Sequence, residues 1–207
     1  MKLHMNEKKI NFYLNGKIVE ANHNETIWQV SNRLGTEIPH LCYSDKPGYR
    51  ADGNCRACMV EIEGERVLAA SCIRKPSENM KVITSSEKAK KSRELVFELL
   101  LSDQPEKEIA HDSNSSFWNW IDKVEVKESR FPKKTPCQSD ISHPSMAVNL
   151  DACIQCNLCV RACREIQVND VIGMAYRGEN SKIVFDFDDP MGDSTCVACG
   201  ECVQACP

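Results

Sequence analysis

Two groups of cysteines near the C-terminus share one spacing and could hold metal. Each group is spaced C-x2-C-x2-C-x3-C, and together they comprise Cys153, Cys156, Cys159, Cys163, Cys196, Cys199, Cys202 and Cys206. Three thiolates two residues apart can surround three corners of a [4Fe-4S] cluster, whereas the fourth is carried one helical turn away, toward a neighbouring cluster. The spacing therefore predicts two [4Fe-4S] clusters whose ligand sets are crossed between the groups.

The crossed rule assigns each cysteine to one cluster. The first predicted [4Fe-4S] set is Cys153, Cys156, Cys159 and Cys206. The second predicted set is Cys163, Cys196, Cys199 and Cys202. The duplicated spacing also indicates an internal repeat. Zinc is the alternative, since structural zinc sites use paired C-x-x-C hooks. Each group here supplies four cysteines in one short run without an interleaved histidine, which favours clusters.

Four cysteines in the N-terminal half form a third candidate set, with gaps of twelve, two and thirteen residues. They are Cys42, Cys55, Cys58 and Cys72. The small residues Gly53 and Ala57 flank the C-x-x-C, where they let backbone N–H groups approach sulfur and stabilise a thiolate-bound cluster. Arg56 adds positive charge at the same place. The set therefore predicts a further metal cluster.

The cysteine count bears on the compartment, since 13 thiols in 207 residues need either disulfides or metal. Residues 1–14 contain no run of seven apolar residues, so no secretory signal is visible. The longest apolar runs also fall far short of the ~18 residues of a transmembrane helix. We expect a cytoplasmic protein with no direct membrane insertion. A processed precursor, or a complex exported on a partner's signal, is the alternative.

The composition excludes several classes of protein. A hydrophobic content of 42% is typical of a folded globular chain and disfavours disorder. The net charge of -4 provides no broad cationic surface, so nucleic acid is not an expected partner. There is no Gly-rich phosphate loop and no Ser/His/Asp set, so no catalytic residue and no nucleotide site are predicted in this chain.

The pattern of the first 85 residues predicts a small mixed sheet packed against one helix. Alternating residues predict strands at 10–14 and 17–21 around the turn Asn15-Gly16. The apolar spacing of 26–34 predicts a helix capped by Gly35. Further strands are expected at 59–62, 67–70 and 81–84. After a cap at Ser85-Ser86, a helix to about residue 103 should bury a stripe formed by Leu95, Val96, Leu99 and Leu100.

The middle of the chain has the least regular pattern. Residues 104–146 contain four prolines and a polar run at 112–116, which predict an irregular connector. Its aromatic residues are expected to hold the connector against a domain, and they are Phe117, Trp118, Trp120 and Phe131. Beyond it, strands are expected at 171–176 and 182–187 around the turn 178–180.

Particular motifs resemble a known family. The sequences PHLC at 39–42, GNCRACMVE at 53–61 and SC at 71–72 resemble the [2Fe-2S] domain that opens the complex I 75 kDa-type subunit. The same module opens NAD-dependent formate dehydrogenase alpha subunits and the small diaphorase subunit of NAD-reducing hydrogenases. The motifs CIQCNLCVRACR at 153–164 and CVACGECVQACP at 196–207 look most like the formate dehydrogenase alpha subunit.

The resemblance implies an α+β fold class in three parts. It implies a β-grasp [2Fe-2S] ferredoxin-type domain at 1–85, a helix and connector at 86–146, and a bacterial two-[4Fe-4S] ferredoxin-type domain at 147–207. Relatives carry a cluster site with one His and three Cys ligands after the long helix, but Gln104 stands where that histidine is expected. An amide is a poor ligand beside thiolates, so we expect this site to be absent. His111 and Cys137 read as ordinary connector residues.

The function that the resemblance implies is electron transfer. The chain would be the iron-sulfur segment of an NAD-dependent formate dehydrogenase alpha subunit, relaying single electrons between a molybdenum or tungsten pterin site and a flavin- and NAD-binding partner subunit. The pterin domain is expected downstream, so this chain is read as a fragment truncated after its last ligand. The alternatives are a stand-alone diaphorase subunit of a hydrogenase or complex I-like enzyme, and a zinc-stabilised binding module.

Overall fold

The computed structural model describes residues 9–207 as two units. One unit comprises the chain up to His40 together with Arg56–Val96, and the other comprises Leu41–Cys55 together with Phe97–Pro207. This division by packing differs from the predicted boundaries at 85 and 146, which stay a prediction. Residues 1–8, which bear on the secretory signal and begin the predicted domain 1–85, lie outside the described residues. No helix in the described range is long and apolar enough to cross a membrane.

The first unit contains a five-stranded mixed sheet. Its strands are β1 (Ile10–Leu14), β2 (Lys17–Ala21), β3 (Met59–Ile62), β4 (Ala69–Ala70) and β5 (Lys81–Ile83). Their order is β2-β1-β5-β3-β4, with β1 parallel to β5 and the other neighbours antiparallel. The turn at Asn15-Gly16 has φ of 51° and 81°, the left-handed pair that closes a two-residue hairpin. The predicted hairpin is confirmed.

Helix α1 (Ile27–Arg33) belongs to the same unit and begins directly after Thr26, as the sequence predicted. Thr26 forms a capping box, since its hydroxyl accepts a hydrogen bond from the Gln29 N–H while the Gln29 side chain accepts one from the Thr26 N–H. Its own residues Ile27 and Val30 are fully buried. The Trp28 indole donates to the Ile38 carbonyl at 3.1 Å, which ties the helix to the segment that leads to Cys42.

Helix α2 (Glu87–Leu101) buries a different face from the one predicted. Leu99 of the expected apolar stripe is 50% exposed, whereas Ala89, Arg93 and Phe97 are buried. These three lie at i, i+4 and i+8, one face of a helix. Hydropathy missed this face because Arg93 is a cation. Its guanidinium is buried because it donates to the Met59 carbonyl through Nε at 3.0 Å and Nη2 at 2.6 Å.

The connector of the second unit is not wholly irregular, which corrects the prediction for 104–146. Helix α3 (Ser116–Val124) begins after Ser115, whose hydroxyl accepts from the Trp118 N–H, and ends at Glu125 in the left-handed conformation. The polar run before it obscured the helix because it supplies the cap. Phe117 and Trp118 are buried, with Phe117 packed on Phe97 at a ring distance of 6.3 Å, as expected of aromatic residues that hold the connector in place.

The C-terminal part of the second unit is built on the cysteine repeat. Helix α4 (Leu158–Arg161) continues into a π-helical turn at Ala162–Ile166, and helix α5 (Glu201–Ala205) follows the second cysteine group. Between them, β6 (Ile172–Ala175) and β7 (Lys182–Phe185) pair antiparallel around a 3-10 turn at Gly178–Asn180. The two strands bury Ile172, Ile183 and Phe185 against cysteine-bearing segments.

The cap of α1 should carry measurable stability. Replacing Thr26 with Ala removes the hydroxyl that accepts from the Gln29 N–H and leaves that N–H unpaired, so we expect a loss of ~1 kcal/mol in the free energy of unfolding. Denaturant unfolding of the cluster-loaded protein, followed by far-UV circular dichroism, measures it. Thr135→Ala, at an exposed and irregular position, is the matched control. Equal stability of the two variants would contradict the role of the cap.

Candidate iron-sulfur sites

The two C-terminal cysteine groups share an unusual backbone as well as a spacing. In the first group Gln155 and Asn157 have positive φ of 53° and 63°. In the second, Ala198 and Gly200 occupy the equivalent positions with φ of 56° and 75°. Each left-handed pair is followed at once by a short helix, α4 or α5. Non-glycine residues rarely adopt this conformation, and the repeated strain is the pattern expected of functional loops.

The left-handed residues aim backbone N–H groups at sulfur. The Gln155 N–H donates to Cys153 Sγ and the equivalent Ala198 N–H donates to Cys196 Sγ, both at 3.4 Å. The Val171 N–H donates to Cys163 Sγ at 3.3 Å. Such donors stabilise the negative charge of a thiolate-bound cluster and influence its potential. The loops therefore fit thiolate ligands chemically.

The first predicted [4Fe-4S] set surrounds one cavity. A cavity of about 560 Å³ in the second unit is lined by Cys153, Cys156, Cys159 and Cys206, with Gln104 and Trp118 on its walls. Cys202 of the second predicted set also borders it. Cys206 comes from the other cysteine group, as the crossed rule requires. The structure thus brings together the four side chains that the sequence assigned to the first cluster, although they are 53 residues apart at the extremes.

The second predicted set is brought together in the same way. A small void of about 10 Å³ is lined by Cys163, Cys196, Cys199 and Cys202. Cys163 lies in the π-helical turn Ala162–Ile166, a helical irregularity that often marks functional sites. The void also borders Val171 and Ile172, so the second site is walled on one side by β6.

Burial acts against thiolate charge at both sites. It raises the pKa of the Cys156 thiol to about 12, and it raises the pKa of Cys153, Cys159, Cys202 and Cys206 as well. A desolvated thiol stays neutral unless a positive charge compensates the thiolate. Iron bound to the sulfurs would supply that charge, so the burial of these thiols fits a cluster-binding interior.

The N-terminal cysteines form two pairs, one in each unit. In the second unit the Cys42 N–H donates to Cys55 Sγ at 3.5 Å, and the Cys55 N–H donates to Cys42 Sγ at 3.4 Å. In the first unit the Sγ atoms of Cys58 and Cys72 lie 3.4 Å apart and both are buried. Arg56, between the pairs, has φ of 60°. Binding of one [2Fe-2S] cluster by all four stays a prediction.

Gln104 has a structural partner in the folded chain. Its side-chain amide is buried and donates from Nε2 to the Ala152 carbonyl at 3.1 Å, one residue before Cys153. His111 and Cys137 are both exposed. Within residues 9–207, no three His, Cys, Asp or Glu side chains converge closely enough to hold a single metal ion. The absence of a one-His, three-Cys cluster stays a prediction.

Sequence reasoning missed two buried arginines beside the predicted ligands. Arg93 bonds the carbonyl of Met59, which follows Cys58, and burial lowers its pKa. Arg161 is 2% exposed and donates from Nη2 to the Cys42 carbonyl at 2.6 Å. Hydropathy places arginine at the surface, so the hydropathy pattern did not identify them. The one sequence signal available was the position of Arg161, two residues after Cys159.

Domain families match both cysteine regions. Residues 7–87 match the 2Fe-2S iron-sulfur cluster binding domain, and residues 152–207 match the 4Fe-4S dicluster domain. The chain contains a 2Fe-2S domain and a 4Fe-4S dicluster domain. The predicted presence of a [2Fe-2S] and a two-[4Fe-4S] ferredoxin-type domain is thereby confirmed, while their boundaries stay a prediction.

Relatives of these two domains occur in several redox enzymes. Subunit HndD of the NADP-reducing hydrogenase of Solidesulfovibrio fructosivorans is 31% identical over 94% of this chain and 34% of its own length. A candidate formate dehydrogenase of Staphylococcus haemolyticus, SH0748, is 31% identical over 83% of this chain and 17% of its own length. The chain therefore spans a minor part of both relatives.

The fold of the 2Fe-2S and dicluster domains also matches a solved structure. The NAD+-reducing [NiFe]-hydrogenase in its H2-reduced state aligns with a TM-score of 0.80 at 24% identity, over 91% of this chain and 80% of that chain. The predicted α+β fold class, with its two ferredoxin-type domains, is confirmed.

The left-handed position before α5 gives a sharp test of the dicluster loops. Gly200 has open space where a Cβ would stand, so a substitution there is opposed by backbone conformation alone. Gly200→Val should cost ~1–2 kcal/mol and lower the iron bound at the second [4Fe-4S] site. Gly200→Asn should be tolerated, because Asn157 adopts the same conformation in the first group. Iron content and thermal unfolding measure both; equal loss in the two variants would contradict the argument.

The predicted [2Fe-2S] ligands can be separated from the others by one substitution. Cys42→Ser removes a thiolate from that set alone, so we expect the [2Fe-2S] EPR signal of the reduced protein to disappear while the [4Fe-4S] signals remain. Cys137→Ser, at an exposed cysteine outside all three sets, should leave every signal unchanged. Loss of all signals in Cys42→Ser would instead mean that the sites assemble as one cooperative unit.

Proposed function

We propose that this chain is the electron-transfer segment of an NAD-dependent molybdenum or tungsten formate dehydrogenase alpha subunit. The observation that carries the electron-transfer role is that each crossed set of four cysteines lines a common cavity, with backbone N–H groups aimed at three of the sulfurs. Clusters ligated wholly by cysteine have no open coordination position, so when bound they pass single electrons and do not bind substrate.

We propose three clusters in this chain, with the ligand sets given above. One [2Fe-2S] cluster is assigned to Cys42, Cys55, Cys58 and Cys72, and two [4Fe-4S] clusters are assigned to the crossed sets. The N-terminal set fits because Cys42 and Cys55 exchange N–H···S contacts and because Cys58 and Cys72 are buried together. Small or left-handed residues at Gly53, Arg56 and Ala57 keep the backbone close to these sulfurs.

The electron path that we propose needs no fourth cluster. Cys42 and Tyr49 share one buried apolar cluster with Cys156, Leu158 and Ala205. The Asn54 amide also donates to the Cys156 carbonyl at 3.3 Å. Ligands of the [2Fe-2S] set and of the first [4Fe-4S] set are therefore in the same packed core. In our proposal the protein matrix here, rather than a connector cluster, links the two sites.

The assignment to formate dehydrogenase rests on the motifs of the dicluster domain and on the similarity to the Staphylococcus haemolyticus protein. In this assignment, electrons from formate oxidation in a downstream pterin domain enter at the dicluster domain and leave toward a partner subunit that binds flavin and NAD. We further propose a cytoplasmic location. Reading the open reading frame beyond Pro207 tests the assignment, because only a formate dehydrogenase continues into a pterin domain.

A hydrogenase or complex I-like diaphorase subunit is the second candidate. It is favoured by the similarity to the NADP-reducing hydrogenase subunit and by the fold shared with the NAD+-reducing hydrogenase. Both candidates assign the same relay chemistry to these residues and differ in the catalytic domain that supplies the electrons.

Cluster stoichiometry tests the relay itself. Three clusters predict about ten Fe and ten acid-labile sulfides per chain in anaerobically reconstituted protein. Reduced samples should show EPR signals of both cluster types. About fourteen Fe would place a further [4Fe-4S] cluster in the connector and would contradict the proposed loss of that site. Little iron with stoichiometric zinc would overturn the redox function.

A further inference from the structure

Arg161 is the most deeply buried charged residue near the predicted ligands. It is the last residue of α4, two positions after Cys159, and only 2% of its surface is exposed. Its guanidinium donates to the Asn157 carbonyl at 3.4 Å, at the start of its own helix, and to two distant backbone carbonyls, those of Cys42 at 2.6 Å and of Arg50. Neither of the two distant bonds is required by the helix to which Arg161 belongs. The side chain therefore joins a segment bearing the first [4Fe-4S] ligands to the segment bearing a [2Fe-2S] ligand.

The charge of Arg161 is only partly compensated. Its Nε lies 3.2 Å from the carboxylate of Asp52, whose side chain is 19% exposed. That carboxylate is shared with Arg50, which is 64% exposed and also pairs with Glu165 at 2.9 Å. Solvent screens the outer pairs much more than the buried one. Arg161 thus provides a fixed positive charge in a low-dielectric interior.

We propose that Arg161 is a positioning residue that holds Cys42 in place and raises the reduction potentials of the two clusters it adjoins. This inference rests on the proposed cluster assignment. The clusters concerned are the [2Fe-2S] cluster, through Cys42, and the first [4Fe-4S] cluster, through Cys156 and Cys159. A cluster gains negative charge when it accepts an electron, so a buried cation favours the reduced form.

The cysteine repeat contains an internal comparison. Gln204 of α5 occupies the position equivalent to Arg161, and it is uncharged and exposed. The two halves of the dicluster domain thus share cysteine spacing and left-handed turns but differ in this charge. We therefore expect Arg161 to raise the reduction potentials of the [2Fe-2S] cluster and the first [4Fe-4S] cluster. Its effect on the potential of the second [4Fe-4S] cluster should be much smaller.

The test is an EPR-monitored redox titration of the full, cluster-loaded chain in four variants. Arg161→Gln removes the charge and should lower both affected midpoints, so that the reduced-to-oxidised ratio at a fixed potential falls about tenfold, or ~59 mV for one electron. Arg161→Lys keeps the charge and should retain most of the potential. Asp52→Asn removes the compensating carboxylate and should raise both midpoints.

Arg164→Gln is the matched control for the loss of one positive charge. Arg164 also adjoins a predicted ligand in sequence, but its side chain is 54% exposed and pairs with Asp170 at the surface. We expect its titration to match that of the unsubstituted protein. Opposite shifts in Arg161→Gln and Asp52→Asn would support an electrostatic role, since a merely structural defect gives no such change of sign.

Three outcomes would overturn the inference. The first is unchanged midpoints in Arg161→Gln with full iron content. The second is equal shifts in Arg161→Gln and Arg161→Lys, which would indicate geometry rather than charge. The third concerns Asp52→Asn, which replaces Arg161→Gln as the test if Arg161→Gln loses its clusters. An unchanged midpoint potential in Asp52→Asn would then overturn the inference. Failure of the unsubstituted chain to assemble clusters would instead overturn the proposed function, which keeps the two failures distinct.

Discussion

The central physical constraint on this molecule is the placing of many thiolates inside a folded chain. Water stabilises charged sulfur far better than an apolar interior does, and burial raises the pKa of the Cys156 thiol to about 12. Backbone N–H groups compensate for part of this loss, because the left-handed residues Gln155 and Ala198 direct theirs at sulfur. The cysteine loops thus supply donors to sulfur from their own backbone.

The same requirement explains the segment Leu41–Cys55, which packs with the second unit. If this loop were free, Cys42 and Cys55 would be exposed to solvent and would have no fixed position. Here Arg161 and Asn54 tie the loop's backbone to the dicluster domain, and the Tyr49 hydroxyl bonds Glu201 at 2.8 Å. Burying a guanidinium costs several kcal/mol unless it is well bonded, and three backbone carbonyls with one carboxylate offset that cost. These contacts hold the segment that carries Cys42 against the first cysteine group of the same unit.

Electron transfer is a function that depends on position more than on side-chain reactivity. In our proposal the cysteines hold the clusters, and the neighbouring backbone N–H groups stabilise their charge. Related sequences occur in a hydrogenase subunit and in a candidate formate dehydrogenase. An electron-transfer segment is compatible with both kinds of enzyme, because it transfers electrons in the same way whichever catalytic domain supplies them.

The Asn15-Gly16 hairpin and the capped helix α1 could be predicted from the sequence, because spacing and turn chemistry are local properties. The same local spacing predicts the three cysteine ligand sets, which stay a prediction. Sequence reasoning missed helix α3, whose cap lay in a polar run, and the buried face of α2, where Arg93 replaces an expected apolar residue. The directions of the Arg161 and Gln104 side chains depend on contacts between segments that are distant in the sequence. A polar side chain is buried when a distant backbone carbonyl is available to pair with it, and hydropathy and periodicity contain no record of that partner.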